Sequence, residues 1–211
     1  MSQGQGESTA LKVQGIVAAA VSISAKIHAK KFAHRYPFWL FDLFCGSGYN
    51  DKADCIGSPI AMLREAERCG VSPRMHCLAI DPSALARLSA NEAIRDRLGK
   101  DVFLHHGDNR LFHAQAAVIV SGSELAQKAM GIALFDPNDS RISLESLAGM
   151  ARQLPCVDIV INYSGSAVKR VNGAGGDIDD LNELLQAANK RYWLIRRPIG
   201  KWQWSLLIGR N

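Results

Sequence analysis

Four apolar runs, each tipped by a carboxylate, constrain this chain more than any other feature of its 211 residues. The first, Phe38-Trp39-Leu40-Phe41-Asp42-Leu43-Phe44-Cys45, breaks at Gly46-Ser47-Gly48. The second ends in Ala79-Ile80-Asp81-Pro82, the third in His106-Gly107-Asp108-Asn109, and the fourth in Leu134-Phe135-Asp136-Pro137-Asn138-Asp139. A continuous apolar run suits a strand buried on both faces, as in a parallel sheet. In an open parallel sheet the carboxyl ends of the strands share one edge, where ligands bind. The four acids are therefore expected along one edge, beside glycines that let backbone approach a ligand closely. Asp42, inside its run, needs a partner there, because a bare carboxylate is not buried alone.

Helical patterns separate the runs. Strands are predicted at 38–45, 75–80, 102–106, 131–136, 157–163, 191–197 and 202–208. Helices are predicted at 58–69, 83–98, about 110–129, 141–153 and 178–189. Such alternation implies βαβ units and a parallel sheet with helices on both faces. Only Pro198-Ile199-Gly200-Lys201 separates the last two runs, too short a link for a crossover helix, so they are expected to pair as an antiparallel hairpin. Residues 10–211 read as one α/β domain, since two domains would be crowded in this length. Residues 1–9, rich in Gly, Ser, Gln and Glu, are expected to be disordered. From about Ala10 to Arg35 one or two helices are expected to cover the sheet edge, with Lys26 and His28 as candidates to face the mouth of the site.

A nicotinamide or flavin site is the nearest competing reading. Its fingerprint asks for a third glycine soon after the second and an acid about 20 residues on. Here Tyr49-Asn50-Asp51 follows the glycines, and Asp81 lies 35 residues beyond Gly46. A polar stretch, 49–56, then leads to Gly57-Ser58-Pro59, which reads as a helix start with Ser58 capping and Pro59 in the first turn.

The ordered set of motifs resembles the class I methyltransferases that use S-adenosylmethionine, over roughly residues 24–209. The resemblance implies a Rossmann-like seven-stranded sheet of five parallel strands plus a C-terminal hairpin. It implies that Asp42, Phe44, Gly46, Ser47 and Gly48 line the methionine and ribose part of the cofactor. Asp81 would take the two ribose hydroxyls, a task suited to a carboxylate that accepts two hydrogen bonds side by side. Asp108 and Asn109 would meet the adenine edge. More narrowly, the glycine turn, the polar loop and Gly57-Ser58-Pro59 are similar to the three-Cys-motif partner proteins, a methyltransferase-like family. Asp136-Pro137, Ile159-Val160-Ile161-Asn162-Tyr163 and Lys169-Arg170 add to that likeness.

By the same resemblance, Asp136, Pro137, Asn138 and Asp139 would face the methyl acceptor. Amino-methyltransferases of adenine or cytosine carry a D/N/S-P-P-aromatic tetrad at this place. The first side chain and the next carbonyl accept hydrogen bonds from the amine, and the aromatic stacks on the extruded base. This chain keeps Asp136 and Pro137 but has Asn138 for the second proline and Asp139 for the aromatic. Tyr49, Tyr163 or Trp202 are candidates to supply the missing ring. Asp-Pro-Asn-Asp also reads as a turn and N-cap for a helix over Ile142 to Met150. Pro155-Cys156 precedes the fifth strand rather than ending the fourth, which argues against methylation of a cytosine ring carbon.

The glycine-rich stretch 164–177 follows the fifth strand at the same edge and reads as a lid or as a surface loop. Lys169 and Arg170 within it are candidates to meet substrate. Net charge is +5, with basic groups at His28-Ala29-Lys30-Lys31-Phe32-Ala33-His34-Arg35 and around Arg191, Arg196-Arg197 and Lys201. Interleaved Tyr192, Trp193, Trp202 and Trp204 suit a polyanion with stackable bases, so nucleic acid is the expected partner. Sequence specificity would come from loops, a homo-oligomer or another protein. Alternatives are a non-catalytic binding module and a methyltransferase of small molecules or proteins. Five scattered cysteines without a CxxC pair predict free thiols, a cytoplasmic setting and no metal site. No run approaches a membrane span.

Overall fold

Every residue of the strand Phe38–Asp42 is buried, as a run apolar on both faces demands. The computed structural model describes residues 11–32, 35–51, 53–108, 128–137, 142–164, 181–196 and 204–211. In chain order the elements are α1 (Leu11–Val17, π-wound), α2 (Ala18–Lys31), β1 (Phe38–Asp42), β2 (Tyr49–Asn50), β3 (Cys55–Ile56) and α3 (Ser58–Arg68). There follow β4 (Pro73–Ala79), α4 (Pro82–Ala90), α5 (Glu92–Arg95), β5 (Val102–His106) and β6 (Met130–Phe135). The chain ends with α6 (Leu144–Gln153), β7 (Val157–Ser164), α7 (Leu181–Ala188), β8 (Tyr192–Arg196) and β9 (Trp204–Arg210).

Seven strands form one sheet in the order β5-β4-β1-β6-β7-β9-β8. The first five are parallel, and β9 runs antiparallel between β7 and β8. This is the expected Rossmann-like arrangement. Side chains of β1 alternate between two cores. Phe38 and Leu40 join Val21, Ala25, Met62 and Leu63 on the face of α2 and α3. Trp39 and Phe41 join Leu147, Met150 and Leu184 on the face of α6 and α7.

Local signals moved several boundaries. The helix expected over 83–98 is two, because Asn91 is extended (ψ 132°) and its side chain caps α5 by accepting from the Ala93 amide at 3.0 Å. Gly57, not Ser58, is the N-cap of α3, leaving the Ser58 hydroxyl free for another task. The cap of α6 is Ser143, whose hydroxyl accepts from the Ser146 amide at 3.2 Å, so Asp136 is not a helix cap. The helix expected at about 110–129 lies almost wholly outside the described residues, as do the N-terminal 1–9. Among the described residues no helix is long and apolar enough to cross a membrane.

Candidate functional site

The turn after β1 is built by two close approaches. The Cys45 amide donates to the Leu78 carbonyl at 2.9 Å, laying the chain across the end of β4. Gly48 has φ 82°, and a Cβ on it would stand 2.6 Å from Leu88 Cδ1, so glycine alone fits. The Gly57 amide then donates to the Gly48 carbonyl at 2.8 Å, and the expected polar loop folds instead as the small β2–β3 hairpin. By contrast, a Cβ on Gly46 would meet nothing within 4 Å. That open space lies over the sheet edge. Ser47 spends its hydroxyl inside the turn, on the Tyr49 carbonyl at 2.9 Å. Phe44 lies half-buried against the α6–α7 core.

Asp42 closes β1 directly beneath. It is fully buried, and its Oδ1 accepts from the Phe44 amide at 3.3 Å. Oδ2 has no hydrogen-bond donor. Burial pushes this carboxyl up to about 6 against the pull of the Ser58 hydroxyl and the Phe44 amide. Asp136 nearby raises it further and Lys12 lowers it, so these three charges share one site.

Asp81 and Asp108 each stand two residues past a strand end, along the same edge. Asp81 caps α4: Oδ1 accepts from the Ser83 amide and Oδ2 from the Ser83 hydroxyl, both at 2.8 Å. Those bonds hold its carboxyl below the usual range, and it is exposed. Each oxygen keeps a lone pair for a further donor. Asp108 is half-buried. Asn109 lies outside the described residues.

Asp136 follows β6 directly, and both its oxygens are engaged. Asn162 of β7 donates its Nδ2 to Oδ1 at 2.6 Å, and Lys12 of α1 approaches Oδ2 at 2.7 Å. Asn162 Oδ1 is buried without a donor. Pro137 is buried beside Asp136, whereas Asn138 and Asp139, with Lys169, Arg170 and Trp202, lie outside the described residues. Tyr49 is exposed on the hairpin, its hydroxyl bonded to Asp54. Tyr163 is half-buried against the core on the α6–α7 side, whereas its neighbour Asn162 meets Asp136.

Sequence reading missed Lys12, Asn162 and Ser58. A lone lysine before a small apolar run carries no local signal, and its meeting with Asp136 exists only once α1 packs. Asn162 offered more, as a polar residue ending an apolar strand at the ligand edge. His28 is corrected: it is buried at the opposite, amino end of β1, its Nε2 2.7 Å from the Tyr36 carbonyl and its ring against Phe38. It cannot face the site. Cys156 likewise stands before β7, away from the ligand edge. Among the described residues no cluster could hold a metal.

No protein-family model matches the chain, and no curated protein matches it. Solved structures do. Protein LPL1258 from Legionella pneumophila superposes with a TM-score of 0.59 at 11% identity, covering 93% of this chain and 84% of that one. An S-adenosylmethionine-dependent methyltransferase from Agrobacterium tumefaciens gives 0.51 at 11% identity, covering 96% of this chain and 62% of that one. An rRNA methylase from Streptococcus thermophilus gives 0.50 at 10% identity, covering 92% and 94%. The fold is that of the class I methyltransferases. At these identities the likeness speaks for architecture, and the residues must carry the chemistry.

Two observations fit S-adenosylmethionine to this class I site. Open space at Gly46 leaves room for a ligand against backbone. Two buried acceptors without donors, Asp42 Oδ2 and Asn162 Oδ1, suit a ligand that brings N–H groups.

Proposed function

We propose that this protein is an S-adenosylmethionine-dependent methyltransferase acting on an amino group of a nucleic-acid base. The observation that carries it is Asp136, held by Asn162 at the end of β6 on the same edge as the Gly46–Gly48 turn. The bound cofactor supplies a methyl group on a cationic sulfur. Asp42, Gly46 and Gly48 would hold its methionine part, Asp81 its ribose, and Asp108 and Asn109 its adenine. Asp136 and the Pro137 carbonyl accept hydrogen bonds from the acceptor amine and keep its lone pair aimed at the methyl group. By the sequence resemblance Asn138 and Asp139 would face the methyl acceptor, and Lys169 and Arg170 would meet substrate. Tyr49, exposed next to the glycine turn, takes the stacking role that the fourth tetrad position lacks. Membership of the three-Cys-motif partner family and a cytoplasmic setting belong to this same reading.

A second reading follows from one contact. Lys12 and Asn162 already occupy both oxygens of Asp136, as they would in a binding module that has lost transfer. One experiment separates the two. The protein is incubated with methyl-labelled S-adenosylmethionine and, in parallel, RNA, single-stranded DNA, duplex DNA and a protein extract. Label entering nucleic acid as N-methyl base supports the proposal. Cofactor binding without transfer to any acceptor supports the binding module, and no cofactor binding overturns both.

A further inference from the structure

Beside the proposed site runs a groove in which Tyr49 alone already has a role. It lies between α2 and α3 as two adjoining cavities of about 530 and 350 Å³, which share Gln14, Ala18, Glu65 and Arg68. Small side chains floor it: Gly15, Ala18, Ala19 and Ser22 on the α1–α2 side and Ala61 on α3. Its upper end adjoins the glycine turn, because Tyr49, which follows Gly48 directly, lines the larger cavity.

The walls carry cations and a ring. Arg64 and Arg68 succeed one another by a turn on α3 and both line the larger cavity. Arg68 spends two of its five N–H groups on Glu65, at 2.9 and 2.6 Å. The pair offsets both charges and leaves Arg68 with N–H donors to spare. On α2 the residues Ala19, Ile23, Lys26 and Lys30 recur at helical spacing along one stripe. Ala19 and Ile23 line the smaller cavity, Ile23 is 53% exposed, and Lys26 and Lys30 are exposed farther along the stripe. At the mouth Tyr49 is 42% exposed, its hydroxyl bonded to Asp54, an acid that lines the same cavity.

We propose that the α2–α3 groove is the track of a single nucleic-acid strand, which leaves the methyl-acceptor site past Tyr49 and runs down between the helices. The inference rests on the nucleic-acid reading above and says where that substrate lies. Tyr49 stacks on a base as the strand turns out of the site. Arg64, Arg68 and Lys26 meet successive phosphates, and Ile23 covers a sugar or base face between them. A single strand fits because stacking on Tyr49 needs an unpaired base, which a duplex does not offer.

The test uses the full-length protein and fluorescent 12-nucleotide single strands, read by anisotropy from low to high salt, with cofactor affinity measured on each variant. Arg64→Ala with Lys26→Ala removes two phosphate contacts. It is expected to weaken binding tenfold or more at low salt and to flatten the log–log salt slope by about 1.4, or 0.7 per contact. Tyr49→Ala is expected to weaken it about ten- to hundredfold, and Tyr49→Phe, which keeps the ring and loses only the Asp54 bond, to restore it. Arg95→Ala, on α5, is expected to change nothing. Unchanged oligonucleotide binding in Arg64→Ala/Lys26→Ala, or equal affinity for duplex, overturns the groove and leaves the nucleic-acid reading standing. A wild-type protein that binds cofactor but no oligonucleotide at low salt overturns both. Loss of cofactor affinity in a groove variant also counts against the track, since its residues then support the cofactor site instead.

Discussion

Lys12, near the start of the described chain, stands 2.7 Å from Asp136, the residue proposed to orient a methyl acceptor. Both side chains are largely buried, so the pair is held by α1 as well as by charge. It also occupies one of the two oxygens that an incoming amine would use. Asp136→Ala is expected to lower methyl transfer about a hundredfold while changing cofactor affinity no more than a few-fold. Full transfer by Asp136→Ala would place the acceptor elsewhere.

If the ion pair couples α1 to the sheet, Lys12→Ala should cost about 1–2 kcal/mol of stability, less than a fully buried pair because both groups retain some solvent. The double variant Lys12→Ala/Asp136→Ala should then cost little more than either single change, a coupling of about 1 kcal/mol in urea denaturation. Strict additivity would mean that the two charges contribute nothing to each other.

How much of this was legible in the sequence divides by range. The strands that carry Asp42, Asp81, Asp108 and Asp136 announce themselves through apolar runs, and their shared edge follows from parallel topology alone. The break at Asn91 and the cap at Ser143 were also written locally, yet several residues compete for each cap and the chain chose others than expected. Lys12 could not be read in advance, and Asn162 and Ser58, though they stand in the strand and helix-start motifs, gave no sign of their partners. Each matters through a residue distant in sequence, and no periodicity marks a meeting that only packing creates. The same holds for the insertion of β9 between β7 and β8, which the hairpin turn leaves open.

Asp81 caps α4 and is proposed to hold the cofactor ribose, and substitutions can separate the two. Asp81→Asn keeps an oxygen for the Ser83 amide and so keeps the cap of α4. It is expected to weaken S-adenosylmethionine binding about tenfold by removing one of two acceptors for the ribose hydroxyls. Asp81→Ala is expected to lose more, as well as part of the helix cap. Calorimetry with the cofactor reads both, and equal affinities for wild type and Asp81→Asn would remove Asp81 from the site.

Two buried groups give opposite pH dependences. Asp42, pushed up to about 6, lends stability that is full below the ordinary carboxylate range and is lost as pH rises through 6. His76, stacked on Phe103 and His105 and lowered by burial to about 3, lends stability that is full above the ordinary imidazole range and is lost as pH falls toward 3. Asp42→Asn should therefore gain about 1–3 kcal/mol over wild type at pH 7.5, about half of that at pH 5 and little below about pH 4. His76→Phe should flatten the acid limb below pH 6.5. A constant difference between Asp42→Asn and wild type across pH would show that Asp42 ionises as freely in the fold as outside it.

The two glycines of the β1 turn serve different ends, and one methyl group tells them apart. At Gly48 the backbone is left-handed, and the new Cβ would stand 2.6 Å from Leu88 Cδ1 and 3.1 Å from Ile60 Cδ1, both in the core. Gly48→Ala is expected to destabilise the protein by about 2 kcal/mol or more, from backbone strain and overpacking together. At Gly46 the same methyl meets nothing within 4 Å, so stability should stay within about 0.5 kcal/mol of wild type. Its methyl enters the open space assigned to the cofactor, so Gly46→Ala should bind S-adenosylmethionine at least tenfold more weakly while melting normally. Thermal denaturation with and without cofactor separates the effects. A Gly46→Ala protein that binds cofactor like wild type would move the ligand off this turn, however well the rest of the fold matched.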